Sequence, residues 1–195
     1  MTVQLSNMIQ LASDPFDRPA LETVRYTMHM RLEALIPPGL PRNGYRFLPW
    51  CEFFKRPAAR VVRSSFLNSP ELDLYPALAS TNGCVMVIEE LTRVPGFLRE
   101  ASGMVFHRNE PVAVIIANRA QGCVFGEIQL VATAPLHRRR GLAAYMVNHA
   151  LWCFHERRLA YATLRMSESS RLAARFFGKL GFQVAGSTTY QRTRL

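Results

Sequence analysis

The stretch Val131-Ala132-Thr133-Ala134-Pro135-Leu136-His137-Arg138-Arg139-Arg140-Gly141-Leu142-Ala143 decides how this 195-residue chain is read. Its first residues close an apolar run that Pro135 stops. Beyond Gly141, apolar residues recur at 143, 146, 147, 150, 151 and 154, the spacing of a helix that buries one face. The stretch is therefore a strand-to-helix turn. The first turn of a helix leaves amides without an intrahelical partner, and the macrodipole makes that end positive. Gly141 has no Cβ, so an anion can approach the backbone closely. Ala143 keeps the next turn small, and Arg138, Arg139 and Arg140 add attraction. Together these residues predict a cradle for a diphosphate. It is neither a GxxxxGK[ST] nor a GxGxxG loop. The competing reading is a solvated basic turn.

Upstream, Gly103 to His107, Val112 to Ala117 and Cys123 to Thr133 read as strands. Turns at Arg108-Asn109-Glu110-Pro111 and at Asn118 to Gly122 separate them, which makes an antiparallel meander. Downstream, Leu159 to Met166 suits a central strand. A second helix carries Leu172, Ala173, Phe176, Phe177 and Leu180 on one face and ends at Gly181, and a closing strand starts at Phe182. Towards the N-terminus, Val24 to Leu35 and Tyr45 to Trp50 are strand candidates, and residues 51–100 contain two helical stretches. The order βββ-α-β-α-β gives an α+β fold with helices packed on a mixed, mostly antiparallel sheet. We expect a single domain over 1–195, with 1–100 and 101–195 as its two parts. The first twenty residues are a loose lead-in.

The composition is globular, with 49% hydrophobic and 19% charged residues, too apolar for disorder. No apolar run approaches the ~18 residues of a membrane helix, and Met1 to Asp14 lacks the basic start and apolar core of a secretory signal, so a cytoplasmic protein is expected. Cys51, Cys84, Cys123 and Cys153 form no CxxC pair and no cluster with histidine, so no metal site is expected. The net charge is +10, and residues 136–195 hold 11 Lys/Arg against Glu156 and Glu168, or +9. That asymmetry implies an anionic partner for the C-terminal third.

The segment Arg138-xx-Gly141-x-Ala143, directly after Val131-x-x-x-Pro135, resembles the acetyl-CoA signature of the GNAT superfamily of N-acetyltransferases. Ser170-xx-Ala173-xxx-Phe177-xxx-Gly181-Phe182 resembles that family's second signature. The resemblance covers roughly residues 81–195. It implies a GNAT-like fold and acetyl-CoA as co-substrate, without a metal. Backbone amides of Arg139, Arg140, Gly141, Leu142 and Ala143, with Arg138 beside them, would hold the pyrophosphate. Val131, Ala132 and Thr133 would pair with the pantetheine arm as a further strand does, and the Val131 amide would stabilise the oxyanion. The acceptor would be a primary amine, that of a small molecule rather than of a protein, attacking directly in a ternary complex. No nucleic-acid or membrane partner is implied, and the resemblance leaves a homodimer open. Two positions depart from the family: Ser170 stands for the usual Asn, and Phe177 for the usual Tyr that protonates the departing thiolate. Ser169, Ser170, Tyr190 or water would supply that proton instead; alternatively the chain is a catalytically weak acyl-CoA sensor. A nucleic-acid-binding module using the C-terminal arginines is the remaining alternative; no helix-turn-helix or aromatic-rich pattern supports it.

Under strict strand alternation Glu127 shares a face with Gln129 and Val131, where a carboxylate can take the amine proton; a surface carboxylate is the competing reading. His107 reads as a turn cap. Glu71 and Asp73 read as helix caps, with attraction of a cationic acceptor as the alternative. Arg171, Arg175 and Lys179 read as a solvated stripe, although Arg171 or Arg175 can also meet the adenosine 3′-phosphate. Trp152 and His155, outside the apolar stripe of the long helix, would pack against the N-terminal segment.

Overall fold

The computed structural model describes residues 21–33, 37–39, 44–120 and 124–192, without the side chains of 21–23, 73 and 190–192. Its strands are β1 (Leu21–Arg31), β2 (Tyr45–Pro49), β3 (Gly103–His107), β4 (Glu110–Arg119), β5 (Phe125–Thr133), β6 (Tyr161–Ser167) and β7 (Gln183–Arg192). Its helices are α1 (Lys55–Phe66), the single turn α2 (Glu71–Leu74), α3 (Thr81–Arg93), α4 (Leu142–Glu156) and α5 (Arg171–Lys179). Leu35 and Cys123, placed in strands by the sequence reading, lie outside the described residues, as does the lead-in before residue 21. The turn expected at Asn118 begins later, because β4 continues through Arg119.

One seven-stranded sheet has the order β2-β3-β4-β5-β6-β1-β7. All neighbours are antiparallel except β5 and β6. The N-terminal strand is thus inserted between β6 and β7, so the closing strand does not lie directly beside β6. Helices cover both faces. Val112 to Ala117 is buried throughout for that reason: Ala113, Ile115 and Ala117 pack with Met146, Ala150 and Phe154 of α4, while Val114 and Ile116 pack with Val62 of α1 and Ile88 of α3. A central strand covered on both faces reads as a continuous apolar run. In α5 the expected apolar face is incomplete. Phe177 is buried, but Leu172 is 79% exposed.

Two irregularities shape the centre of the sheet. Ile116 faces Leu130, yet the next residue, Ala117, faces Ile128, so Gln129 is an extra residue and β5 bulges there. In addition, β5 pairs with β6 only from Phe125/Tyr161 to Ile128/Leu164. Past that point β5 stays with β4 to Thr133, and β6 turns to β1 as far as Ser167, opposite Arg25. The sheet therefore splits into a V whose arms are residues 129–133 and 165–167.

Candidate functional site

The chain leaves β5 through a 3-10 turn at Pro135–His137 and enters α4 from Gly141. Two residues of the turn have positive φ, Arg139 at 60° and Gly141 at 78°. The amides of His137 and Arg138 are taken by the carbonyls of Ala134 and Pro135, and that of Tyr145 by the carbonyl of Gly141. Between them, the amides of residues 139–144 donate no hydrogen bond among the described residues, and no side chain caps the helix. A Cβ built on Gly141 would meet nothing within 4 Å. Six free amides around an empty volume at the positive end of a fifteen-residue helix form an anion-binding concavity.

The three arginines of the turn are not equivalent. Arg138, expected beside the phosphates, instead sends Nε to the carbonyl of Thr133 at 3.3 Å and Nη2 to that of Ser65 at 2.7 Å. Its guanidinium ties the turn to α1, because two carbonyls unclaimed by regular structure lie within reach. Arg140 Nη1 donates to the hydroxyl of Tyr45 at 3.2 Å, and that hydroxyl also meets His137 Nδ1 at 3.0 Å. Burial, then the charge of Arg140, holds His137 below the usual imidazole range. His107, expected as a turn cap, has its ring against those of Tyr45 and His137 at 4.7 and 5.4 Å. Arg139 is exposed, Leu142 is buried and offers only its backbone, and Ala143 is half-buried.

Between the arms of the V lies a cavity of about 240 Å³. Glu127, Val131, Ser170 and Phe177 all line it, so the structure brings together four of the residues singled out in the sequence. Their relationship differs from the expectation in one respect. Glu127 sits opposite Asn118, whose Nδ2 donates to the carbonyl of Leu91 on α3, whereas Val131 packs with the α4 cluster. Glu127 and Val131 therefore occupy opposite faces, because the extra residue at Gln129 reverses the alternation. Ala132 turns to the α1–α3 face, and Thr133 ends the strand with its Oγ1 buried and unpartnered. Glu127 is not a surface carboxylate: its Oε1 receives Nη2 and Nε of Arg165 at 2.7 and 3.1 Å.

On the other arm, Glu71 caps no turn of its own. Its Oε1 accepts from the amide of Ser167 at 2.8 Å and from the hydroxyl of Ser170 at 3.0 Å, which fastens α2 across the cavity onto β6 and the start of α5. The Asp73 side chain lies outside the described residues. Phe177 stands edge-on to Phe176 and Phe182 and offers no proton. Tyr190 of β7 pairs through its backbone with Thr23 of β1; its side chain lies outside the described residues. Arg171, Arg175 and Lys179 are exposed, and Trp152 meets His149 at 6.1 Å. Sequence reasoning missed Arg25, Glu90, Asn118 and Arg165, all of which line the cavity. A polar Asn118 at the end of an otherwise apolar run was the available signal; Arg25 had none, since its place depends on where β1 inserts.

The family model described as "Acetyltransferase (GNAT) domain" matches residues 82–184. A search of curated proteins returns no match. Among solved structures, a GCN5-related N-acetyltransferase from Sphaerobacter thermophilus superposes with a TM-score of 0.66 at 16% identity, over 91% of this chain and 54% of that one. This chain thus spans about half the length of that protein. A PaiA N-acetyltransferase from Thermoplasma acidophilum, in complex with coenzyme A, gives 0.59 at 10% identity, covering 78% of this chain and 100% of the other. Ard1 from Thermoplasma volcanium gives 0.60 at 14%, over 78% and 100%. At these identities the superpositions speak for the fold, and the family match spans more than half of the residues. With the mixed sheet, its V and the free amides before α4, the chain belongs to the GNAT acetyltransferase family.

Proposed function

We propose that this protein transfers an acetyl group from acetyl-CoA to a primary amine of a small molecule, by direct attack within a ternary complex. The observation that carries the reading is the set of six unclaimed amides at residues 139–144 around the bare Cα of Gly141. They suit the two negative phosphates of a CoA pyrophosphate, with Arg139 and Arg140 beside them. The unpaired edge of β5 at 129–133 suits the amide-bearing pantetheine arm, which would lie there as a strand lies beside its neighbour. That arrangement directs the thioester into the cavity beside Val131.

Acetyl-CoA supplies the activated acetyl group; the residues of this chain would do the rest. The Val131 amide would donate to the carbonyl oxygen as it gains charge. Glu127, fixed in direction by its two hydrogen bonds from Arg165, would accept the amine proton as the new C–N bond forms and the C–S bond breaks. Water, Ser169, Ser170 or Tyr190 would protonate the departing thiolate. A second reading is favoured by Phe177 and by the commitment of the Ser170 hydroxyl to Glu71: a slow enzyme that mainly binds acyl-CoA. Calorimetry with acetyl-CoA tests the shared premise, and no heat at millimolar ligand would reject both readings. Release of free CoA thiol across an amine panel then separates them.

A further inference from the structure

The far end of the cavity carries more information about the acceptor than the family match does. Three carboxylates, Glu71, Glu90 and Glu127, and two guanidinium groups, Arg25 and Arg165, line it. Glu127 is matched by Arg165, and Glu71 is held by the amide of Ser167 and the hydroxyl of Ser170. Glu90 makes no ion pair among the described residues, although its neighbour Glu89 meets both Lys55 and Arg93. One helical position on, the Leu91 carbonyl receives Asn118 Nδ2 at 3.3 Å, while Asn118 Oδ1 accepts no hydrogen bond in a residue only 5% exposed. Asn118 in turn stands opposite Glu127 in the β4–β5 ladder. An unmatched carboxylate, Glu90, and an unpartnered buried carbonyl oxygen, that of Asn118 opposite Glu127, thus line the same cavity as the Glu127 carboxylate, and both are acceptors. The buried Asn118 oxygen asks for a donor, and the half-buried Glu90 carboxylate can accept from the same one.

The remaining walls are apolar, with Phe66, Leu78, Val87 and Val94 on the α1–α3 side. At about 240 Å³ the cavity falls below the ~300 Å³ at which drug-sized pockets begin, and the thioester must share it. Ser69, Glu71 and Tyr75 form a further wall, fastened by Glu71 to Ser167 and Ser170. With three carboxylates against two guanidinium groups the lining carries one negative charge in excess, which a single ammonium balances, whereas the second charge of a polyamine would have none left to balance it.

We propose that the acceptor is a small monoamine with a compact apolar body, its ammonium received by Glu90 and Asn118 next to Glu127. This rests on the acetyl-CoA reading above and narrows it to one substrate class. The test compares CoA-thiol release with 2-phenylethylamine and isopentylamine against spermidine and a short alanine-initiated peptide, in the wild-type protein and in Glu90→Gln, with acetyl-CoA calorimetry on both. The expected result is a kcat/KM for the two monoamines at least tenfold above that for spermidine and the peptide. Glu90→Gln should raise their KM about tenfold while the Kd for acetyl-CoA stays unchanged. Preference for spermidine or the peptide, no turnover of either monoamine, or an unaltered KM in Glu90→Gln overturns the acceptor class while the acetyl-CoA reading stands. Failure of acetyl-CoA to bind overturns both.

Discussion

Gly141→Ala separates two consequences of a single missing methyl group. The residue has φ of 78°, and a Cβ placed on it touches nothing within 4 Å. Within the protein, the only cost of alanine is the left-handed backbone, about 1 kcal/mol, which for a chain of this size lowers Tm by about 2–4 °C. The methyl group would, however, project into the volume surrounded by the free amides of 139–144. Displacing a pyrophosphate from two of them removes two charge-assisted hydrogen bonds of about 1.5 kcal/mol each. That total of about 3 kcal/mol corresponds to more than a hundredfold in Kd. Gly181→Ala is the matched control: its φ is 97°, and its Cβ would make an ordinary 3.5 Å contact with Met30 Sδ. Thermal denaturation should show similar losses in both variants, whereas calorimetry with CoA should show the weakened binding in Gly141→Ala alone. A CoA affinity within threefold of wild type in Gly141→Ala, or an equal loss of CoA affinity in the two variants, refutes the assignment of the amides to phosphate.

Three further outcomes follow from the packing. Gly126→Ala puts a Cβ 2.3 Å from Cδ2 of the fully buried Phe154, so it should cost about 2–3 kcal/mol as an overpacked core, read as a shifted urea midpoint at constant m-value. Phe177→Tyr adds a hydroxyl to the cavity wall and should raise kcat at least threefold; an unchanged rate would show that thiolate protonation does not limit turnover. Burial pushes the Cys153 thiol up to about 11, above its unfolded value near 8.5. The stability this contributes is complete below about pH 8.5 and is lost as pH rises through 11, so urea unfolding should weaken between pH 9 and 11 by about 2–3 kcal/mol, and less in Cys153→Ala.

Most of the strand and helix pattern was legible in the sequence because burial imposes periodicity. Val112 to Ala117 reads as a doubly covered strand, and 143, 146, 147, 150, 151 and 154 read as a buried stripe, since each residue there has one thing to do. The turn before α4 was legible for a related reason: only glycine is at ease at a φ of 78° beside free amides. The cavity was harder to read. Its parts come from α1, α2, α3, α5, β1, β4, β5 and β6, and what brings them together is the V in the sheet and the bulge at Gln129, which no composition encodes. One inserted residue moved Glu127 and Val131 onto opposite faces, against a strict two-residue period. The family resemblance put Arg138 beside the phosphates, but two nearby carbonyls claimed it. Glu71 was misread as a cap because its partners, Ser167 and Ser170, are about a hundred positions away.

The lodging of β1 between β6 and β7 also dictates when the molecule can be finished. Tyr26 pairs with Met166 on one side and Ser187 on the other, so this strand is paired on both sides only after residues far along the chain have left the ribosome. Contacts this distant in sequence are slow to form, and until they do, β6 presents an open edge to the solvent. The Arg25 wall of the cavity is therefore complete only once these distant contacts have formed.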